Sequence, residues 1–508
     1  MQAERPGRRC VVYVLLLMVL AAGVFFTNLG GPTMSVDEAQ YALCVEHCRQ
    51  SHDWLGMTPY PPEPYYQKPP MYVWLTGLTY RFFGDGMVRY RFWSAVFGIG
   101  CVALTCVWGS MLISAEVGLL GGLLLLTNRY FQSDHGARTG SLDTAVTLCV
   151  LVCLVLYWML RAGRMGRRAW AGIGAAAGLA CLFKPIAGVP ILGILALHAL
   201  LVERRSGHLP RPGTGLLMAF AAALAVVSPY YIAVVSRAGG RVFHESIERA
   251  IIDTATSGDP NTHEHMFRNS YADPLVERQF SRRPWHWLVT ELHHSSPPFL
   301  LAGAGAVFAI VMSLRGKNRG AFALLTMLTV VYLFIFSLSA VRRIRYTYPA
   351  FPAVALCIAA LCVWVLMSAL RRARAGPSGP ALASAVAACV VGLVLLESLR
   401  VGQNQLGGGD RCDYVPWNTY EMLKPAIRDG RLRLVFYGFP QTQLDWRRRM
   451  GLDASDCFYL EQMREAVRVA DPAELRRLLA DKTPTLLLLS KFVDADGLES
   501  ELKLDDRS

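Results

Sequence analysis

Apolar runs recur along this chain, and each approaches the roughly 20 residues that a helix needs to cross about 30 Å of hydrocarbon. One such run could be a buried core helix. A series of them leaves a polytopic membrane protein as the fold class. Composition agrees: 18% of the 508 residues are charged and 53% are hydrophobic, whereas about a quarter of a soluble domain is charged. The first run, 11–29, ends in "FFTNLGG". It is longer than the roughly 7–15 residues of a signal-peptide core and lacks a small-residue cleavage pattern, so it is expected to be a retained helix. Spans are predicted near 11–29, 91–113, 115–131, 143–160, 169–183, 186–202, 214–235, 297–314, 321–340, 347–370 and 380–398, about eleven in all.

The loops set an expected orientation. "ERPGRR", "RAGRMGRR", "ERRSGHLPRPG", "RGKNRG" and "RRARAG" together hold sixteen Lys/Arg against two Glu. The positive-inside rule puts them, and the N-terminus, in the cytoplasm. Topology thereby accounts for the formal charge of +13, and nucleic acid is not expected as a partner. The other side receives the long loops 30–90 and 236–296, the loop 132–142, the turn "RRIRY" and the tail from about 400. In the tail, "RLRLVFYGF" and "TPTLLLLSK" read as strands, and "DPAELRRLLADK" reads as a helix with an Asp cap. The expected architecture is an all-α transmembrane domain over 1–398 followed by a small exoplasmic α/β domain over 399–508. The 13 cysteines form no framework; Cys412 and Cys457, both in the tail, are one candidate disulfide. No repeat at a fixed period is visible.

The outer loops carry the candidate chemistry. "SVDEAQYA" places Asp37 and Glu38 a few residues beyond the first span, at the start of a helix expected to lie along the membrane surface. "YYQKPPMYVWL" places Lys68 just before the chain turns apolar again. "ARTGSLDTAV" contains Asp143, and "HESIERAI" contains Arg249. Each also has a structural reading. Acids at a helix start are favoured by capping and by the dipole, and an interfacial lysine can snorkel. Residue type alone leaves both readings open.

In order, the chain carries "SVDEAQYA", "YYQKPPMYVWLTGLTYRFFG", "RFWSAVFG", "ARTGSLDTAVTL", "GLACLFKPIAGVP", "SPYYIAV" and "RRIRYTYPAFPAVAL". This series resembles the membrane glycosyltransferases of the GT-C fold, and in particular the bacterial branch of lipid A 4-amino-4-deoxy-L-arabinose transferases and relatives of protein O-mannosyltransferases. The resemblance covers most of 30–360. It implies a sugar transferase at the exoplasmic face of the bacterial inner membrane, with a polyprenyl-phosphate-linked sugar as donor and a glycolipid, an envelope glycan or a protein hydroxyl as acceptor. It further implies that Asp37 and Asp143 are catalytic-site acids, with Asp37 foremost, and that Lys68, Arg249 and Tyr346 meet the donor phosphate; Glu38, beside Asp37 at the helix start, is counted with the catalytic acids as its less critical neighbour. The chain departs from the family pattern at Gln40, where relatives often have Arg, and at Gln67, where they often have Glu. The resemblance therefore does not carry lipid A or a bound zinc over to this chain. No cofactor is assigned. "HEH" at His263–His265 and the pair His293–His294 are the only motifs that suggest a divalent metal, and neither has a supporting carboxylate arrangement.

The chemistry agrees with that implication. A leaving phosphate gains charge, so a cation must stand beside it. A hydroxyl or amine must be oriented and must lose its proton at the opposite face of the anomeric carbon. Lys68 and Arg249 suit the first task and Asp37 the second. The alternative from another class is a transporter or lipid-linked sugar flippase. Such carriers place ionisable groups near the midplane, and the predicted spans hold few.

Overall fold

The structure, a computed structural model, describes residues 7–31, 35–62, 64–83, 86–133, 135–203, 209, 212–246, 299, 301–315, 318–338, 344–373, 426–437, 466–469, 471–480 and 483–489. Arg249, both histidine motifs, Cys412, Cys457 and the run 380–398 lie outside them. The chain divides into two compact units, one of residues 1–30, 66–258 and 273–408, the other of 31–65, 259–272 and 409–508.

The first unit is helical. It contains α1 (Arg8–Phe26), α3 (Met71–Thr79), α4 (Val88–Leu112), α5 (Ala115–Leu126), α6 (Arg129–Ser133), α7 (Asp143–Arg161), α8 (Ala169–Phe183), α9 (Val189–His198) and α10 (Pro212–Ala238). The short α11 (Arg241–Phe243), α12 (Ala302–Arg315), α13 (Arg319–Leu338) and α14 (Phe351–Ala373) complete it. Apolar runs of the expected composition are helical at nearly the expected places. The expectation of about eleven spans is overturned. Among the described residues five helical segments are long and apolar enough to cross a membrane: Arg8–Phe26, Val88–Leu112, Asp143–Arg161, Pro212–Ala238 and Ile344–Ala369. The reason is length. Ala115–Leu126, Ala169–Phe183, Val189–Glu203 and Ala302–Arg315 are shorter apolar helices, and the stretch of α13 counted with them is Arg319–Ile335. A 12- to 15-residue helix is only about 18–22 Å long. Breaks in the chain impose the limit: α5 stops at Thr127–Asn128, and α8 stops at Lys184, in extended conformation ahead of Pro185. The nine-residue α3 after Lys68 is likewise too short to span. The chain is a multi-pass membrane protein, and among the described residues fewer helices are long enough for a full crossing than the apolar runs suggest.

Packing follows the small residues. α4 is the hub, touching α1, α5 and α7, and α8 packs between α7 and α10. On α1, Leu17, Ala21 and Phe25 are buried while Val11, Leu15 and Val19 remain exposed, as for a helix with one face toward lipid. Along the α8–α10 seam a Cβ built on Gly174 would come within 1.9 Å of the Ala219 carbonyl oxygen, and one on Gly178 within 2.8 Å of that of Ala223. This is close backbone approach through small residues four apart. Gly174→Val is therefore expected to destabilise the protein by about 1–3 kcal/mol or more, read as a fall in melting temperature in detergent. Gly193, with nothing within 4 Å of its Cβ position, should accept Ala with little change and serves as the control.

In the second unit, α2 (Val36–Ser51) follows the first span in sequence. The tail forms a three-stranded parallel sheet of order β2-β1-β3, from β1 (Arg433–Tyr437), β2 (Val467–Val469) and β3 (Thr485–Leu489). Val435 pairs with Val467 on one side and Leu487 on the other. Leu434, Val435 and Phe436 are all buried, as expected of a central parallel strand. The helix α15 (Pro472–Leu479) is capped by Asp471, which accepts from the Ala473 amide at 3.0 Å. Its Leu475 packs on Val435 and Val469.

Candidate functional site

The loop between α5 and α7 builds most of one site. Asn128 accepts from the Phe131 amide at 2.9 Å and starts α6. Gln132 donates to the Leu126 carbonyl at 2.6 Å, and Arg138 donates to the Thr27 carbonyl at 2.6 Å, tying the loop to the end of α1. Ser141 then fixes Asp143. Its hydroxyl donates to Asp143 Oδ2 at 3.2 Å, while its backbone amide donates to Ser94 Oγ at 3.1 Å. Ser94 is in turn 2.8 Å from the Tyr72 hydroxyl, which donates to the Tyr90 carbonyl at 2.6 Å. A buried polar chain thus runs from α3, which opens just after Lys68, through α4 to the first residue of α7.

Lys184 closes the site. Its extended conformation at the end of α8 turns it toward α7, where its Nζ donates to Asp143 Oδ1 at 2.7 Å. The same ammonium lies 4.5 Å from the centroid of the Tyr346 ring, a cation–π distance. Arg345, in the 3₁₀ turn Ile344–Ala350, donates to His135 Nε2 and stands 5.9 Å from the Tyr346 centroid. Asp143 and Arg345 are both buried. A lysine and an arginine thus stand by the Tyr346 ring, and the lysine is paired with the carboxylate.

The second unit holds the other two acids. Ser35 is the N-cap of α2 and forms a capping box with Glu38: the Glu38 amide donates to Ser35 Oγ at 3.4 Å, and the Ser35 amide to Glu38 Oε2 at 3.4 Å. This arrangement satisfies two amide donors at the helix start and explains why Glu38 is buried at 2% exposure. Asp37 is the second helical residue, partly exposed, and takes no part in that box. α2 is not a surface-lying amphipathic helix as expected, because residues 41–48 are buried all round. His47 Nδ1 lies 2.9 Å from the Thr58 carbonyl oxygen, and Glu46 accepts from Arg49 at 3.3 Å. Burial pushes the Cys48 thiol up to about 12, so it stays protonated and unreactive.

Lys68 is partly buried. Two residues before it, the Tyr66 carbonyl accepts from Ser246 Oγ, and the Tyr66 amide donates to Glu245 Oε2 at 3.4 Å. Ser246 is three residues before Arg249 in the sequence. Of the residues expected from sequence, Asp143 and Tyr346 are thus brought together through Lys184, while Lys68 lies four residues before Tyr72, where the hydrogen-bonded chain to Asp143 begins. Lys184, Arg345 and His135 were not among the expected site residues. Lys184 does stand in the "FKPIAG" break and Arg345 in the "RRIRY" turn, and those were the available signals. Among the described residues no group of three or more His, Cys, Asp or Glu could hold a metal ion.

Residues 67–232 match the family described as dolichyl-phosphate-mannose-protein mannosyltransferase, a stretch that includes Lys68, Asp143 and Lys184. An undecaprenyl phosphate-alpha-4-amino-4-deoxy-L-arabinose arabinosyl transferase 2 of Pseudomonas fluorescens is 27% identical over 265 residues, 49% of this chain and 43% of that protein. The corresponding transferase of Pseudomonas savastanoi pv. phaseolicola is 26% identical over 268 residues, 50% of this chain and 47% of its own. The chain thus spans about half the length of the curated relatives it matches. Among solved structures, ArnT from Cupriavidus metallidurans bound to undecaprenyl phosphate superimposes with a TM-score of 0.60 at 16% identity, covering 97% of this chain and 94% of that one. The Archaeoglobus fulgidus oligosaccharyltransferase in the apo form gives 0.53 at 14% identity, covering 92% and 65%. The resemblance to GT-C glycosyltransferases holds at the level of the fold.

Proposed function

We propose that the chain is a glycosyltransferase of the bacterial inner membrane that moves a sugar from a polyprenyl-monophosphate carrier to a hydroxyl or amine of an exoplasmic acceptor, a glycolipid, an envelope glycan or a protein. The observation that carries this reading is the Asp143–Lys184–Tyr346 cluster with Arg345 beside it, whose Asp143 and Lys184 lie in the stretch that matches the mannosyltransferase family. The Lys184 ammonium and the Arg345 guanidinium are the kind of groups that suit a phosphate whose charge grows as the sugar leaves. Lys68, Tyr346 and Arg249 are the remaining donor-phosphate groups in this reading. Asp37 orients the acceptor and takes its proton, and Glu38 supports it by fixing the start of α2. In this reading the N-terminus and basic loops are cytoplasmic and the site and the tail sheet lie outside, which the positive-inside rule supports. The domain division at about 398 and 399 belongs to the same reading.

The test is transfer by the purified protein from a polyprenyl-phosphate sugar, with mass spectrometry of co-purified lipid to identify carrier and sugar together. A protein that binds no polyprenyl phosphate and transfers nothing would overturn the reading.

Two variants refine it. Lys68→Ala is expected to weaken donor use by about ten- to a hundred-fold, the equivalent of the roughly 1.5–3 kcal/mol of a hydrogen bond to a charged group. Acceptor dependence should stay near normal. An unchanged donor dependence in kinetics at fixed acceptor would return Lys68 to an interfacial role. Glu38→Gln is expected to be mild in both melting temperature and transfer, because Gln serves the third helical position of a capping box as Glu does. A large loss of transfer without a loss of stability would give Glu38 a chemical role.

A further inference from the structure

A second buried polar cluster lies at the opposite end of α7 from Asp143. Arg161 Nε donates to Glu203 Oε1 at 2.7 Å, and the Glu203 side chain is 1% exposed. His198 Nε2 lies 4.0 Å from the same oxygen and 2.9 Å from the Gly320 carbonyl oxygen. Its Nδ1 is 2.8 Å from the Tyr157 hydroxyl. The Tyr157 ring meets those of His198 and Trp170 edge-on, at 5.6 and 5.9 Å. A Cβ on Gly320 would stand 2.9 Å from both Arg161 Nη2 and Glu203 Oε1. Glu203 ends a π-helical turn, Ala199–Glu203, that continues α9. Such turns are uncommon and are often kept at functional positions.

The elements that meet here are those that meet at the proposed site. α7 supplies Asp143 at one end and Arg161 at the other. α8 supplies Trp170 near its start and is followed directly by Lys184. α9 leaves the Lys184 break and ends in His198 and the Glu203 turn. α13 begins beside Gly320 and packs against the 3₁₀ turn that carries Tyr346. Two polar clusters, one at each end of a 19-residue helix of about 28 Å, therefore fix the same elements against one another. A buried ion pair is a poor source of stability but a good determinant of register.

We propose that Arg161, Glu203 and His198 are positioning residues: they set the axial register of α7, α9 and α13, and through it the approach of Lys184 and Tyr346 to Asp143. The functional consequence rests on the proposed transfer reaction; the structural one does not.

The experiment compares the full-length wild type, Glu203→Gln, Arg161→Lys and Tyr157→Phe in nanodiscs. The first readout is hydrogen–deuterium exchange. Register control predicts that Glu203→Gln raises exchange at the far end, over 141–146 and 183–188, as well as locally, with Arg161→Lys intermediate because it keeps the charge. Exchange raised only around 157–161, 198–203 and 319–322 would overturn the proposal. If Glu203→Gln does not accumulate folded, Tyr157→Phe, which removes one hydrogen bond without a charge, is read by the same criterion. The second readout is single-turnover transfer per folded molecule. It should fall about tenfold in Glu203→Gln, with donor affinity weakened, and fall less in Arg161→Lys. Loss only in proportion to the folded fraction would count against positioning. A wild type that transfers nothing would sink the proposed reaction, while the exchange data would still decide the register.

Discussion

Asp37→Asn is expected to cut single-turnover sugar transfer by roughly 10²–10⁴-fold, the usual cost of removing a general base, with the melting temperature and donor binding close to those of the wild type. Ser35 and Glu38 form the capping box of α2, so the amide disturbs no cap. What it removes from the helix start is one favourable charge–dipole contact, about 0.3–1 kcal/mol. A large kinetic loss with so small a stability change cannot be a capping effect. The measurement is transfer by the purified variant beside its melting curve. Near-normal transfer by a well-folded Asp37→Asn protein would leave the acid as a dipole partner and move the base to Asp143.

That expectation shows how far local sequence reaches. "SVDEAQYA" announces a helix start, and the helix begins there, with the serine as cap. The same reading placed α2 along the membrane surface from the spacing of Tyr41, Val45 and Cys48. In the structure Glu46 and His47 on its other sides are buried too. Periodicity over so few residues finds one apolar face, but tertiary packing decides whether the polar face meets water or partners.

The helices were legible because hydropathy is local. The number of crossings was not, because an apolar run can be helical at its expected place and still be too short to cross: Ala169–Phe183 ends at the break in "FKPIAG" as expected, yet has 15 residues. Lys184 shows the same limit from the side of chemistry. A lysine after a helix C-terminus is unremarkable by type, being favoured there by the dipole. It becomes a site residue only through Asp143, 41 positions earlier, at 2.7 Å. Asp143 and Tyr346 could be picked out because the resemblance carried them; Lys184, Arg345 and His135 required the fold.

The pair Asp143–Lys184 separates the structural from the chemical account of this site. Lys184→Met is expected to be strongly destabilising, by about 3–5 kcal/mol, because it strips a buried carboxylate of its closest cation. Transfer should be lost with it, and that result alone does not distinguish the two accounts. The double variant Asp143→Asn with Lys184→Met does. It removes one negative and one positive charge, so the net charge of the cluster is unchanged. The Asn oxygen can still accept from Ser141, and neither member of the Asp143–Lys184 pair is left charged without the other. Stability should therefore recover most of the loss. If the pair only holds α7 against the α8–α9 break, transfer should recover in parallel. If Lys184 and Asp143 help to bind the phosphate-bearing donor, transfer should stay at least about 10²-fold down, as when a positioned stabilising group is removed from an active site. Melting curves and single-turnover transfer on the wild type, both single variants and the double variant form a complete cycle. Parallel recovery of the two readouts would remove the cluster from the chemistry and leave Lys68 and Arg249 as the donor's cations.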